Sequence, residues 1–199
     1  MLFRSATVAA QRGHRVSLFD AGAEIGGQFN LAKRVPGKEE FHETLRYYRR
    51  MIDVLGIDLH LNTRVDVALL APMHFDEVVV ATGITPRRPE IPGIDHPKVV
   101  GYIDVILQRA PVGRRVAIIG AGGIGFDVAE LITHAGPSAA LDIDVFAREW
   151  GIDFANHPRG GVTGVKREVA RADREVFLMQ RKTEPVGKHL GRTTGWTHR

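Results

Sequence analysis

The chain has 199 residues, 44% of them apolar and 25% charged, with no cysteine. That suffices for one or two compact domains; it excludes wholesale disorder, a disulfide framework, a thiol nucleophile, cysteine-bound zinc and an iron–sulfur cluster held by these residues. The net charge of +4 comes from 27 Lys and Arg scattered among 23 Asp and Glu, a solvated surface with no nucleic-acid-binding block, and without an eighteen-residue apolar run or a secretory signal the sequence predicts a cytoplasmic protein with no membrane segment.

In chain order, the alanine-rich residues 6–11, closed by Gly13, predict a helix and turn, and Val16-Ser17-Leu18-Phe19 predicts a buried strand that ends in Asp20. Gly22, Gly26 and Gly27 then lead to Lys38-Glu39-Glu40. Phe41, Leu45, Tyr48, Ile52 and Leu55 keep helical spacing until Gly56, which predicts a long amphipathic helix. Residues 57–61 predict a short strand. Glu77-Val78-Val79-Val80-Ala81 predicts a second, almost continuously apolar, as parallel strands covered on both faces are. Pro86, Pro89, Pro92 and Pro97 crowd the next stretch, so residues 83–97 read as an extended linker between domains.

Beyond a short helix at 104–109, Arg115-Val116-Ala117-Ile118-Ile119 predicts a new buried strand and residues 126–134 the helix that follows it. Residues 136–173 are poorly periodic. Val176-Phe177-Leu178-Met179 predicts a last apolar strand, and the polar, glycine-rich tail from Pro185 reads as loop.

Between that new strand and its helix stands Gly120-Ala121-Gly122-Gly123-Ile124-Gly125, a G-x-G-x-x-G turn in the context that gives the pattern its meaning. Gly120 permits the tight turn, Gly122 lets backbone approach a pyrophosphate, and Gly125 allows close helix–strand packing, while amides at the helix N-terminus face the phosphates. A carboxylate ending the next strand favours NADH, whereas cations accept the 2′-phosphate of NADPH. Two stretches compete for that position: residues 141–146, followed by Ala147-Arg148, and Val176 to Met179, followed by Gln180-Arg181-Lys182. Neither ends in an acid, so NADPH is favoured in both cases. Arg181 and Lys182 are preferred because adjacent cations bracket one phosphate.

In the first half Asp20 ends its strand as a ribose-binding acid does, yet the glycine turn expected about twenty residues earlier would fall before Met1. The neighbours of Asp20 are Glu24-Ile25-Gly26-Gly27-Gln28 and, later, Ala81-Thr82-Gly83. With them the chain resembles the flavoproteins built from two dinucleotide domains. More closely it resembles the C-terminal part of the bacterial NADPH-dependent 2,4-dienoyl-CoA reductases, through Ile25-Gly26-Gly27-Gln28-Phe29-Asn30, Pro36-Gly37-Lys38-Glu39-Glu40-Phe41, Leu45-Arg46-Tyr47-Tyr48-Arg49-Arg50, Gly122-Gly123-Ile124-Gly125-Phe126-Asp127, Glu149-Trp150-Gly151-Ile152-Asp153, Gln180-Arg181-Lys182 and Thr193-Thr194-Gly195-Trp196.

The resemblance implies an α/β, Rossmann-like flavoprotein fold incomplete at both ends, with residues 1–97 a partial FAD-binding domain and residues 98–199 a partial NADPH-binding domain. It implies an enzyme of unsaturated fatty-acid β-oxidation in which NADPH reduces FAD, and electrons pass through an iron–sulfur cluster to FMN and on to an enoyl thioester. The FMN barrel, the cluster cysteines and the substrate-protonating residues would precede this chain, and a fragment alone would be inactive. Asp20 would hold the FAD ribose, Gly27 and Gln28 would approach the flavin nucleotide, and backbone near Val65 would meet the adenine. Gly120, Gly122 and Gly125 would cradle the NADPH pyrophosphate, Arg181 and Lys182 its 2′-phosphate, and Trp196 would line the flavin or nicotinamide side.

Other chemistries lack their patterns. The histidines have no H-x-x-x-H or H-E-x-x-H spacing, and Glu39, Glu40 and Glu43 read as a solvated helix start. G-x-S-x-G and the G-x-x-x-x-G-K-[ST] phosphate loop are missing. Two further readings stay open: a non-catalytic nucleotide-binding remnant, and a related flavoprotein of the trimethylamine dehydrogenase-like or enoate reductase-like kind.

Overall fold

A computed structural model describes residues 2–154, 165–168, 170–188 and 190–191. The chain divides into two compact units, one of residues 1–33 and 40–92, the other of residues 34–39 and 93–199.

In the first unit helix α1 (Leu2–Gln11) precedes strand β1 (Ser17–Phe19), and after the short helix α2 (Phe29–Ala32) comes the long helix α3 (Phe41–Val54) and strand β2 (Asp58–His60). β1 and β2 pair in parallel, Leu18 opposite Leu59. Leu45 and Ile52 of α3 point into a core with Phe3, Ala6, Leu18, Ile25 and Ile57, while Arg46, Tyr47, Arg49 and Arg50 on the other side of the helix face water. This is the amphipathic division that the spacing predicts. The helix stops at Gly56, whose φ of +63° is costly for any side chain; there Gly56 N donates to Asp53 O and Ile57 N to Ile52 O, at 3.2 and 3.1 Å, closing the orphan carbonyls and turning the chain straight into β2. A single turn of helix, α4 (Val67–Leu70), and a 3₁₀ turn (Ala71–Met73) follow; neither was expected from the sequence.

Residues 77–81 form no strand, contrary to the sequence expectation. The sheet of this unit holds β1 and β2 alone among the described residues, and Val80 is 79% exposed. β-branched residues favour a strand only where a neighbour takes up the backbone hydrogen bonds and a packed face covers the side chains.

The second unit opens with α5 (Tyr102–Ile106) and continues through β3 (Arg115–Ile119), α6 (Gly123–Thr133), α7 (Ile143–Trp150) and β4 (Glu175–Met179). β3 and β4 pair in parallel along their whole length, from Arg115 opposite Glu175 to Ile119 opposite Met179. Val116, Ile118, Val176 and Leu178 are half-buried and alternate with exposed neighbours, so each strand is partly covered on one face and open on the other, not buried as the sequence predicts; Ile119 is 66% exposed. α6 packs against the pair, with Val128 and Ile132 buried. Arg174 Nη1 donates to Ile132 O at 2.9 Å near the end of that helix.

Residues 141–146, one of the two competing strands, lie in the turn before α7 and in α7 itself. Leu141, Ile143 and Val145 alternate as in a strand, but the side chain of Asp142 accepts hydrogen bonds from Asp144 N and Val145 N, at 2.9 and 3.0 Å, and so starts a helix. The two amides, Val145 first, hold the Asp142 carboxyl below its ordinary range. A depressed carboxylate stabilises the fold above its unfolded-state pKa, and that contribution vanishes as the pH falls through its folded-state value. Asp142→Ala should therefore lower the melting temperature at neutral pH and remove part of the acid-induced loss of helix, whereas Asp142→Asn should keep the cap; circular dichroism melts across pH 2 to 7 check both.

Candidate functional site

The site in the second unit is built where β3 hands over to α6. Gly120 N donates to Met179 O at 2.9 Å, the last rung of the sheet, and its φ of +126° admits glycine alone without strain. The helix then begins inside the motif, at Gly123 and not at Phe126, with Gly122 as its N-cap and no side chain capping it. The first helical bond at this end runs from Phe126 N to Gly122 O at 3.2 Å. First-turn amides have no acceptor within their own helix, so those of Gly123, Ile124 and Gly125 are left for a ligand or water.

The glycines at 122 and 125 are there for different reasons. A β-carbon on Gly125 would lie 2.0 Å from the carbonyl oxygen of Gly120, so any side chain would push the helix off the strand. A β-carbon on Gly122 would meet nothing within 4 Å, and its φ of −92° suits every residue. Neither strain nor packing demands glycine at 122. The bare backbone leaves open space in front of unpaired amides, and a diphosphate fits such a cradle.

Beyond Met179 the chain curls. Gln180 Nε2 donates to Lys182 O at 3.2 Å and to Glu184 O at 2.5 Å, forming a loop that carries Arg181 and Lys182. Both cations are exposed, and among the described residues no ion pair engages either of them. Because Met179 is bonded to Gly120, the two cations leave the sheet at the same edge as the glycine turn. The rival cation, Arg148, sits on α7 and lines a cleft of about 350 Å³ with Ala135, Pro137 and Glu168, past the other end of α6. Gln180 is the residue that reading by type overlooked: its place at a strand end before two cations was the available clue.

In the first unit Asp20 follows β1 directly. Its N donates to His60 O and its O accepts from Thr63 N, both at 2.9 Å, while Oδ1 accepts from Gly22 N at 2.8 Å. These bonds, with Asn62 N to Gly22 O at 2.9 Å, bring Asp20 beside the connection that leads to the exposed Val65. In the loop before α2, a β-carbon on Gly26 would collide with Leu45 and Asn30, whereas one on Gly27 would meet nothing within 4 Å. Gln28 is exposed at the start of α2. Asn30 pins the loop by donating from Nδ2 to Ile25 O at 3.1 Å, and Lys33 donates to Asn30 Oδ1 at 2.8 Å. The unit thus offers an acid at a strand end and an open Gly27, features that fit a dinucleotide such as FAD. Trp196 lies outside the described residues.

Among the described residues no three His, Asp or Glu side chains gather to hold a metal ion, and no helix is long and apolar enough to cross a membrane.

Comparison with known proteins gives a family model, pyridine nucleotide-disulphide oxidoreductase, that matches residues 3–186. The metal reductase of Desulforamulus reducens is 32% identical over 135 residues, which cover 66% of this chain and 20% of that protein. The cinnamate reductase of Clostridium sporogenes is 32% identical over 142 residues, 69% of this chain and 20% of that protein; the chain thus spans about a fifth of the length of these curated relatives. Among solved structures, a 2-naphthoyl-CoA reductase soaked with 2-naphthoyl-CoA superposes with a TM-score of 0.64 at 27% identity, covering 96% of this chain and 33% of the other.

The two glycines make separable predictions. Gly122→Ala should leave stability within about 0.5 kcal/mol of the parent and weaken dinucleotide binding at least tenfold, whereas Gly125→Ala should cost about 1–3 kcal/mol of stability through overpacking. Thermal melts paired with dinucleotide titration test this, and undiminished binding by the Gly122 variant would refute the cradle.

Proposed function

The chain belongs to the pyridine nucleotide-disulphide oxidoreductase family and has its α/β, Rossmann-like flavoprotein fold, and from that premise we propose that it is the part of a flavin-dependent reductase of the 2,4-dienoyl-CoA reductase kind in which NADPH reduces FAD. The observation that carries the proposal is the empty space beside Gly122 in front of the unpaired amides of α6. When bound, NADPH supplies a hydride and FAD accepts it.

The chain's own residues bind and orient. Amides of the first turn of α6 meet the diphosphate, and Gly122 and Gly120 let it approach the backbone. Arg181 and Lys182 grip the 2′-phosphate through charge-assisted hydrogen bonds, held on a loop that Gln180 shapes. Asp20 accepts from the FAD ribose through the oxygen that its own turn leaves available, and Gly27 admits the nucleotide to the loop ahead of α2. Without a cysteine, these residues supply neither a thiol step nor an iron–sulfur cluster.

The thioester end of the proposal draws on one solved neighbour, a reductase named for 2-naphthoyl-CoA, and the reduction of an unsaturated acid draws on a relative named for cinnamate. In this reading the partners are the two cofactors, with FMN, an iron–sulfur cluster and an enoyl thioester in the whole enzyme, which works in the cytoplasm on unsaturated fatty acids, free of nucleic acid and membrane. A second reading is nucleotide binding without flavin reduction.

Titration of the purified chain separates the two. Saturable NADPH binding together with measurable, even weak, binding of added FAD supports the reductase reading, and NADPH binding with no binding of FAD supports the other. Arg181→Ala with Lys182→Ala should weaken NADPH roughly 10- to 100-fold, as loss of charged hydrogen bonds does, and leave NADH affinity unchanged. Equal losses for both nucleotides would remove the 2′-phosphate assignment.

A further inference from the structure

One ion pair in the second unit stands next to the proposed nucleotide site and has no part in the account above. Lys38 Nζ and Asp127 Oδ1 lie 2.5 Å apart, 89 residues apart in the chain, with side chains 34% and 18% exposed. Lys38 belongs to residues 34–39, which pack with the second unit. The segment has its own anchors there: Val35 is 2% exposed, and Gly37 N donates to Ser138 Oγ at 3.2 Å. Asp127 begins the second turn of α6 and is the first acid after the glycine turn. The next acid, Glu130, lies almost a turn further on, 3.9 Å from His134 Nδ1.

An uncompensated carboxylate at that position opposes a diphosphate at the head of the same helix. Half-buried charges are screened less than exposed ones, so the opposition would extend across a helical turn. Resting on the nucleotide reading, we propose that Lys38 is a positioning residue for NADPH binding: by neutralising Asp127 it keeps the head of α6 attractive to a diphosphate. The pair brings a cation from a segment 89 residues away to the acid nearest the glycine turn.

A charge role and an anchoring role differ in how Asp127 behaves. Isothermal titration of the 199-residue chain with NADPH, in the parent, Lys38→Met, Asp127→Asn and the double variant, at low and high salt, distinguishes them. The charge role predicts that Lys38→Met weakens binding on the order of fivefold at low salt, that Asp127→Asn binds as tightly as the parent or tighter, and that the double variant returns to within about twofold of the parent. The deficit of Lys38→Met should shrink as salt rises. Anchoring alone predicts the opposite pattern: Asp127→Asn as weak as Lys38→Met, with no rescue in the double variant. That result, or an unchanged Lys38→Met, overturns the proposal. If Lys38→Met fails to fold by circular dichroism, Asp127→Asn decides by itself, since weakened binding in that variant overturns the charge role. A parent chain that binds no NADPH is a different outcome, which removes the nucleotide reading and this inference with it.

Discussion

The approach of α6 to β3 at Gly125 is the constraint on which the second unit rests. With 2.0 Å between a hypothetical β-carbon and the Gly120 carbonyl, the helix sits as close to the strand as backbone allows. That closeness aims the first turn of α6 across the carboxyl end of β3. The bond from Gly120 to Met179 then fixes β4 alongside, so the loop of Arg181 and Lys182 emerges at the same edge. Packing and backbone conformation thus explain two of the motif's glycines: the third by contact, the first by its positive φ. Gly122, which packing leaves unexplained, is the one that points outward to chemistry.

Much of this was legible from residue pattern because the relevant forces are local. The spacing of Leu45, Tyr48 and Ile52 and the stop at Gly56 specify α3 nearly to its ends, and β3 runs over the same five residues that the apolar run predicts. Readings went astray where the deciding partner is not written in the segment itself. Residues 77–81 have the composition of a strand, but pairing is a property of two segments, and no described strand lies against them. Residues 141–146 alternate as a strand does, yet one carboxylate, Asp142, bonds two amides and commits the chain to a helix. The half-exposed faces of β3 and β4 belong to the same class, since covering by a second layer cannot be read from a single strand. At the candidate site, residue types were visible while the shape of the loop was not: the part played by Gln180 depends on where its amide reaches after the turn.

Charge distribution sharpens the picture that net charge leaves vague. A value of +4 says little about partners, but individual cations have separate fates. Arg46 bonds Glu43 and thereby holds that carboxyl below its ordinary value, Arg115 bonds Glu175 across the sheet, and Lys188 bonds Glu184. These exposed pairs contribute little to stability. Arg181 and Lys182 lie beyond the reach of such pairs among the described residues, beside a turn of unpaired amides. It is this difference in pairing, not the net charge, that the proposed 2′-phosphate assignment of Arg181 and Lys182 draws on.

The absence of cysteine assigns this chain its share of any redox reaction. Family chemistry that runs through a disulphide needs thiols, and none of the 199 residues supplies one. Under the proposed reading what these residues would contribute is binding energy, directed at the second unit to the diphosphate and the 2′-phosphate, groups that take no part in hydride transfer. Energy gained on such remote groups holds the reacting ring in place and raises the fraction of molecules poised to react, without changing the ring's own reactivity. In that reading the Gly120–Gly125 turn and the Arg181–Lys182 loop would decide which nucleotide enters and how firmly it is held, and not the chemistry of the ring.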